Sequence, residues 1–199
     1  MRYFFTILLS FCLTISIQAA YILVPMDDSQ TNHLKAYGLA YWSLEQEVEL
    51  EWLLNYRGGS FLFKHLQQFE NELVVRGGSY EVISDAQAVQ IKEQIGQADA
   101  NMDVVKLEVA PKIAVYSPKT ALPWDDAVTL VLTYAEIPYE IVFDDEVMKD
   151  ELPTYDWLHL HHEDFTGQYG KFYRGYSGTA WYQKQQREFE ELARKYNFP

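Results

Sequence analysis

The sequence predicts an α/β fold with a mostly parallel sheet flanked by helices, and three observations carry that reading. Short apolar runs alternate with stretches of helical periodicity along the chain. Twice, at 21–55 and at 112–143, a run, a helix and a second run follow one another, and such strand–helix–strand crossovers build parallel sheets. The segments 47–55 and 136–144 also resemble each other and occupy equivalent places, which suggests two similar α/β halves. With 199 residues, 48% of them hydrophobic, the chain has enough apolar material for one medium domain or two small ones.

The first twenty residues read as a signal peptide rather than as part of the fold. Arg2 is a minimal charged start, 4–17 is apolar apart from Thr and Ser, and Gln18-Ala19-Ala20 supplies small residues for cleavage. The apolar run is shorter than the roughly 20 residues of a membrane span. Cys12, the one cysteine, follows Phe11, which is too large for a lipoprotein signal. Cleavage removes it, so the mature chain has neither a disulfide nor a cysteine nucleophile. The expected organisation is a signal peptide at 1–20, a first α/β half at 21–110 and a second at 111–199, in a periplasmic or secreted protein without a transmembrane span. A net charge of −13 argues against a nucleic-acid partner, because phosphate binding needs clustered Lys and Arg. A small molecule or a protein partner is compatible with it.

In the first half, 21–26 is a buried-type strand and the polar stretch 27–32 offers helix caps. Leu34, Tyr37, Leu39, Tyr41, Trp42 and Leu44 recur at mostly helical spacing up to about Gln46, and 48–55 returns as a strand. Arg57-Gly58-Gly59-Ser60 then recurs as Arg76-Gly77-Gly78-Ser79. Between the copies, 64–75 has the pattern of an amphipathic helix. Val82-Ile83 is a brief strand, Asp85 caps a helix to about Gln97, and 104–109 is a further strand before the Ala110-Pro111 boundary.

The second half opens with a strand at 112–116 and a loop containing Pro118 and Pro123. Asp125 caps a helix at 126–137 that is apolar nearly all round and is therefore expected to be buried. Strands follow at 139–143 and 155–161, then a Gly/Tyr-rich loop at 166–178. The last helix, 179–196, has Trp181, Phe189, Leu192, Ala193 and Tyr196 on its core side. Helix-then-strand is the rhythm throughout, so the next expected element is a strand, and the chain reads as C-terminally truncated.

Three places hold chemistry. Tyr155–Phe165 contains three of the five histidines. His159 and His161 share one face of a strand, as metal-ligating His-x-His pairs do, which permits a metal-dependent hydrolase. The spacing through His162, Glu163 and Asp164 matches no established zinc pattern, so the other reading is a polar strand end bordering a pocket, with no metal. Each Arg-Gly-Gly-Ser reads either as an anion-holding turn, with Arg57 as donor, or as a tight turn that begins a strand. In open parallel sheets ligands bind beyond the carboxyl ends of strands. Ser117, Lys119, Thr120, Asp125, Asp144 and His161–Asp164 gather there if their strands are neighbours. The ligand-binding candidates are therefore Lys119, Asp125, His161, His162, Glu163 and Arg57. No catalytic residue and no cofactor is specified, and the absence of a G-x-S-x-G elbow disfavours a serine hydrolase.

Four segments carry a family resemblance: 22–27 (Ile-Leu-Val-Pro-Met-Asp), 32–38 (Asn-His-Leu-Lys-Ala-Tyr-Gly), 52–61 (Trp-Leu-Leu-Asn-Tyr-Arg-Gly-Gly-Ser-Phe) and 158–165 (Leu-His-Leu-His-His-Glu-Asp-Phe). On these the chain resembles an exported bacterial family labelled "asparagine synthetase B", over nearly all of the mature sequence. The resemblance implies a flavodoxin-like fold similar to class I glutamine amidotransferases, and members longer than this chain. The label implies an N-terminal cysteine nucleophile and a Ser-Gly-Gly-x-Asp-Ser loop for ATP. Here position 2 is Arg2, and the Gly-Gly pairs follow Arg57 and Arg76 with no Asp-Ser after them. The residues present do not support asparagine synthesis. They leave a non-catalytic or incomplete binding domain, or an amidotransferase- or hydrolase-like enzyme whose nucleophile lies beyond Pro199.

Overall fold

A computed structural model describes residues 21–118, 126–160 and 173–197. The described elements are β1 (Tyr21–Val24), α1 (His33–Glu45), β2 (Leu50–Leu54), β3 (Ser60–Lys64), α2 (Gln67–Arg76), β4 (Glu81–Ile83), α3 (Asp85–Ile95), β5 (Asp103–Leu107), β6 (Ile113–Tyr116), α4 (Ala127–Ala135), β7 (Glu140–Val142), α5 (Asp144–Met148), β8 (Trp157–Leu160) and α6 (Ala180–Tyr196). The chain divides into two units between Val109 and Ala110. Among the described residues no helix is long and apolar enough to cross a membrane.

The first unit corrects the fold expected from the sequence. Its five strands lie in the order β4-β1-β3-β2-β5, and every neighbouring pair is antiparallel. The main sheet is thus neither mostly parallel nor flavodoxin- or class I amidotransferase-like. The β1-α1-β2 crossover does leave its two strands parallel in direction. They are not partners, because β3 lies between them, with Phe61 opposite both Val24 and Trp52. In the same way β3-α2-β4 brackets β1. These are two interleaved split βαβ units, the ferredoxin-like arrangement, extended by β5 on the far edge. Only five residues join β2 to β3, too few for a crossover, so this pair has to be antiparallel.

Each face of this sheet is covered. Leu23, Leu53, Leu62 and Ile83 point to one side and pack with Ala88 and Ile95 of α3. The other side carries α1 and α2, whose rings meet those of the sheet edge-on, Tyr37 with Phe61 at 5.6 Å and Phe69 with Phe63 at 5.4 Å, and each other through Trp42 and Phe69 at 5.2 Å. Phe61, Leu62 and Phe63 are all buried, as befits a central strand with helices on both faces. Burying each such side chain contributes roughly 1.5–3 kcal/mol before entropy is counted. Local chemistry sets the helix starts. The Asn32 side chain accepts from the Lys35 N–H at 3.2 Å. Ser84 rather than Asp85 caps α3, through a capping box with Gln87.

The second unit keeps the parallel arrangement on a smaller scale. Its three strands lie in the order β7-β6-β8, both pairs parallel, with Tyr116 opposite Val142 and Leu160. The two halves are therefore not alike: β2 and β7, whose sequences resemble each other, belong to sheets of opposite type. Asp126 rather than Asp125 caps α4, accepting from the Val128 N–H at 2.7 Å. The helix is not buried all round, since Leu130, Val131 and Tyr134 are exposed. The expected core side of α6 is covered only in part: Leu192, Ala193 and Tyr196 are half-buried, whereas Trp181 and Phe189 are 47% and 57% exposed.

Candidate functional site

Two places have the geometry of a site, one in each unit. In the first unit β1 and β2 end, and β3 and β4 begin, at the same end of the sheet. There the chain runs through a tight turn at 55–59, in which Asn55, Arg57, Gly58 and Gly59 all have positive φ, at 60°, 46°, 81° and 95°. Such backbone is costly for residues with a Cβ and has to be held by its surroundings. It is held by the loop after β1. The Met26 N–H donates to the Arg57 carbonyl at 3.0 Å, and the Trp52 indole N–H to the Gly59 carbonyl at 3.0 Å.

Arg57 fastens this end. Its Nε donates to Asp27 Oδ2 at 2.7 Å, Nη1 to Glu81 Oε1 at 2.6 Å and Nη2 to Ser29 Oγ at 3.1 Å. The Arg57 hydrogen bond, followed by that of Ser29, holds the Asp27 carboxyl well below the usual carboxylate range. The same contacts, Asp27 first and then Glu81, raise the guanidinium. All three nitrogens of Arg57 have partners within the chain and two of these are carboxylates, so the group acts here as an internal clasp rather than an anion cradle. The second Arg-Gly-Gly-Ser meets the same loop. Gln30, which is buried, donates to the Pro25 and Ser79 carbonyls at 2.8 and 3.1 Å and accepts from the Ser79 N–H at 2.8 Å. Thr31 Oγ1 donates to the Gly77 carbonyl at 2.6 Å. The repeat is visible in the sequence; its common partner, the 25–31 loop, is reached through contacts 28 or more residues apart and is not.

In the second unit, β6 is followed by β7 on one side, and the chain then crosses back to β8 on the other. That reversal is the topological switch point at which open parallel sheets form a ligand crevice, outside the carboxyl ends of the strands. The β6 and β7 ends are joined there. The Ser117 N–H donates to the Val142 carbonyl at 3.0 Å, the Tyr116 hydroxyl donates to Asp144 Oδ1, and the Tyr116 and Phe143 rings lie 5.2 Å apart. Ser117 and Asp126 are buried, and Asp126 is engaged in capping α4. The opposite, amino end is tied by other contacts. The Lys112 N–H donates to Asp156 Oδ2 at 2.7 Å, and the Tyr155 hydroxyl to Glu140 Oε2 at 2.7 Å. The Glu140 hydrogen bond pushes the Tyr155 phenol up to about 12 and lowers the Glu140 carboxyl.

Of the residues singled out in the sequence, Arg57 and Asp144 stand as described, one in each unit. Lys119, Asp125, His161, His162 and Glu163 lie outside the described residues. His159 sits on β8 with its ring 6.5 Å from that of Trp157. Among the described residues no group of three or more His, Cys, Asp or Glu is placed to hold a metal ion. Comparison of the chain with family models, with curated proteins and with solved structures returns no match.

Proposed function

We propose that the chain is an exported α/β binding protein of the family labelled "asparagine synthetase B", and that it holds a small ligand beyond the carboxyl ends of β6 and β8. The observation that carries the reading is the β7-β6-β8 order: three parallel strands with a reversal at β6, whose carboxyl ends carry Ser117 and the Tyr116–Asp144 pair. A phenol donating to a carboxylate beside a buried hydroxyl presents oriented polar groups, which suits recognition of a polar ligand. Export rests on the signal-like segment 1–20, and the family reading on the four segments at 22–27, 32–38, 52–61 and 158–165. Three of these, 22–27, 32–38 and 52–61, meet around the Arg57 clasp, where the His33 ring also pairs with the Met26 carbonyl at 3.1 Å.

The test is a ligand-observed NMR screen of the mature chain against amino acids, nucleotides and glycosides, repeated with Tyr116→Phe, Asp144→Asn and, as a control in the other unit, Arg57→Lys. The expected result is at least one ligand whose affinity falls about tenfold with either crevice variant and stays unchanged in the control. A screen without a ligand, or one in which every ligand found is indifferent to both crevice variants, sinks the proposal.

A further inference from the structure

We infer that the first unit carries a second, separate binding site, a cleft between α3 and the outer strands of the sheet that takes a neutral polyhydroxylated ligand such as a saccharide unit. The cleft is open to solvent along one side and holds about 310 Å³, at the low end of the ~300–1,000 Å³ spanned by small-molecule sites. Leu23, Ile83 and Ile91 form its apolar floor, and Tyr56, Glu81 and three glutamines of α3 complete its lining. Gln87, Gln90 and Gln94 are spaced three and four residues apart, which puts their amides on one side of the helix.

The state of these side chains points to the ligand. The Gln87 carbonyl is committed to Ser84, accepting from its N–H and its hydroxyl at 2.9 Å each. The Gln90 and Gln94 amides have no partner among the described residues, and both side chains are exposed. Each offers a donor and an acceptor, and so does the Tyr56 hydroxyl. Glu81 gives one oxygen to Arg57, a guanidinium it shares with Asp27, and keeps the other as an acceptor. No Lys or Arg lines the cleft, which leaves nothing to hold a phosphate or a carboxylate. The three glutamines and the Tyr56 hydroxyl together suit a neutral partner whose groups both donate and accept, with an apolar face to lie on Tyr56 and the floor. Sugar hydroxyls and C–H faces have that combination.

The experiment is an NMR titration of the full mature chain that follows the Gln90 and Gln94 side-chain amide resonances. The probes are the methyl glycosides of glucose, mannose and N-acetylglucosamine, with acetate and methylammonium as charged controls. Saturable shifts with a glycoside and none with the controls are expected. The Gln90→Leu/Gln94→Leu variant should weaken binding about tenfold or more, and Asp144→Asn in the other unit should leave it unchanged. Both glutamines are exposed on a capped helix, so the variant keeps its fold, and an unchanged amide spectrum elsewhere checks this. The inference is overturned if no glycoside shifts the two amides at its highest soluble concentration, if the double variant binds as well as the parent, or if a charged control binds better than every glycoside.

Discussion

Arg-Gly-Gly-Ser occurs twice in the chain, and the two copies do different work. At 57–60 the first three residues lie in the turn between two antiparallel strands and Ser60 begins the second, and the backbone has positive φ at Arg57, Gly58 and Gly59. At 76–79 they end a helix: Gly77, at φ +72°, caps α2, and the Gly78 N–H returns to the Leu73 carbonyl at 2.9 Å. Arg57 reaches out to Asp27, Ser29 and Glu81, whereas Arg76 pairs with Glu72 one turn back on its own helix. What precedes the motif decides its shape. After a strand, Gly-Gly reverses the chain; after a helix, it supplies the left-handed cap. Both copies nevertheless lock onto the loop after β1, which is why one sheet end is so densely bonded.

The largest contrast lies between the first glycines of the two copies. A Cβ on Gly58, at φ +81°, would stand 2.2 Å from the Met26 carbonyl oxygen and 2.6 Å from its carbon, and both atoms are backbone. A Cβ on Gly77 would meet nothing within 4 Å. Gly58→Ala therefore combines left-handed strain with a backbone clash and should lower stability by ~3 kcal/mol or more. Gly77→Ala carries the conformational term alone, about 1 kcal/mol. Urea denaturation of the two variants reads the difference directly. Equal losses would mean that the Met26 contact is not holding the turn.

Acid should separate the copies next. The Asp27 carboxyl is held below its ordinary value of 3.8 by Arg57 and Ser29. A depressed carboxyl contributes stability that is fully present above its unfolded value and is lost as pH falls through the folded one. The stability gap between the parent and Asp27→Asn should thus be constant near neutrality and narrow below about pH 4. Because Asp27 is at the surface, added salt should shrink the gap as well. Urea curves collected from pH 7 down to the acid limit test this, and a gap that widens as pH falls contradicts the clasp.

Elements were legible in the sequence where periodicity is local, and their partners were not. The runs at 21–26 and 48–55 and the helix between them are found within two residues of where they were expected. The parallel pairing inferred from them failed, because pairing is a long-range choice that a crossover does not settle when another strand can enter. The clue lay in Phe61-Leu62-Phe63. Three successive large apolar residues need cover on both faces, which marks a central strand, and the five-residue turn before them allows only an antiparallel neighbour. Capping erred by one position at Ser84 and Asp126, where two capable residues stand side by side. Arg57 stood out through its glycines, but its carboxylates lie 30 residues before it and 24 after, joined to it only by the strand order. For α4 and α6 the apolar pattern predicts burial, yet a pattern shows which side chains want cover, not that cover is supplied to all of them.

The smallest expected effect belongs to the second copy's ion pair. Arg76 Nε donates to Glu72 Oε1 at 2.9 Å, four residues apart on one helix, with the glutamate nearer the N-terminus as the helix dipole favours. Such pairs contribute about 0.3–0.5 kcal/mol. The Arg76 side chain is only 8% exposed, so its aliphatic stem is removed from water along with its charged end. Arg76→Ala alone should therefore cost more than the pair is worth, through lost packing. A double-mutant cycle with Glu72→Gln separates the two contributions, since the packing loss appears in both Arg76 variants and cancels. The coupling should fall in the range of ordinary helical pairs and weaken with salt, while the cycle across Arg57 and Asp27, which joins separate segments, should give the larger value. A larger coupling at 76–72 than at 57–27 would reverse the order of the two copies and make the helix cap, not the turn, the tighter of the two fastenings.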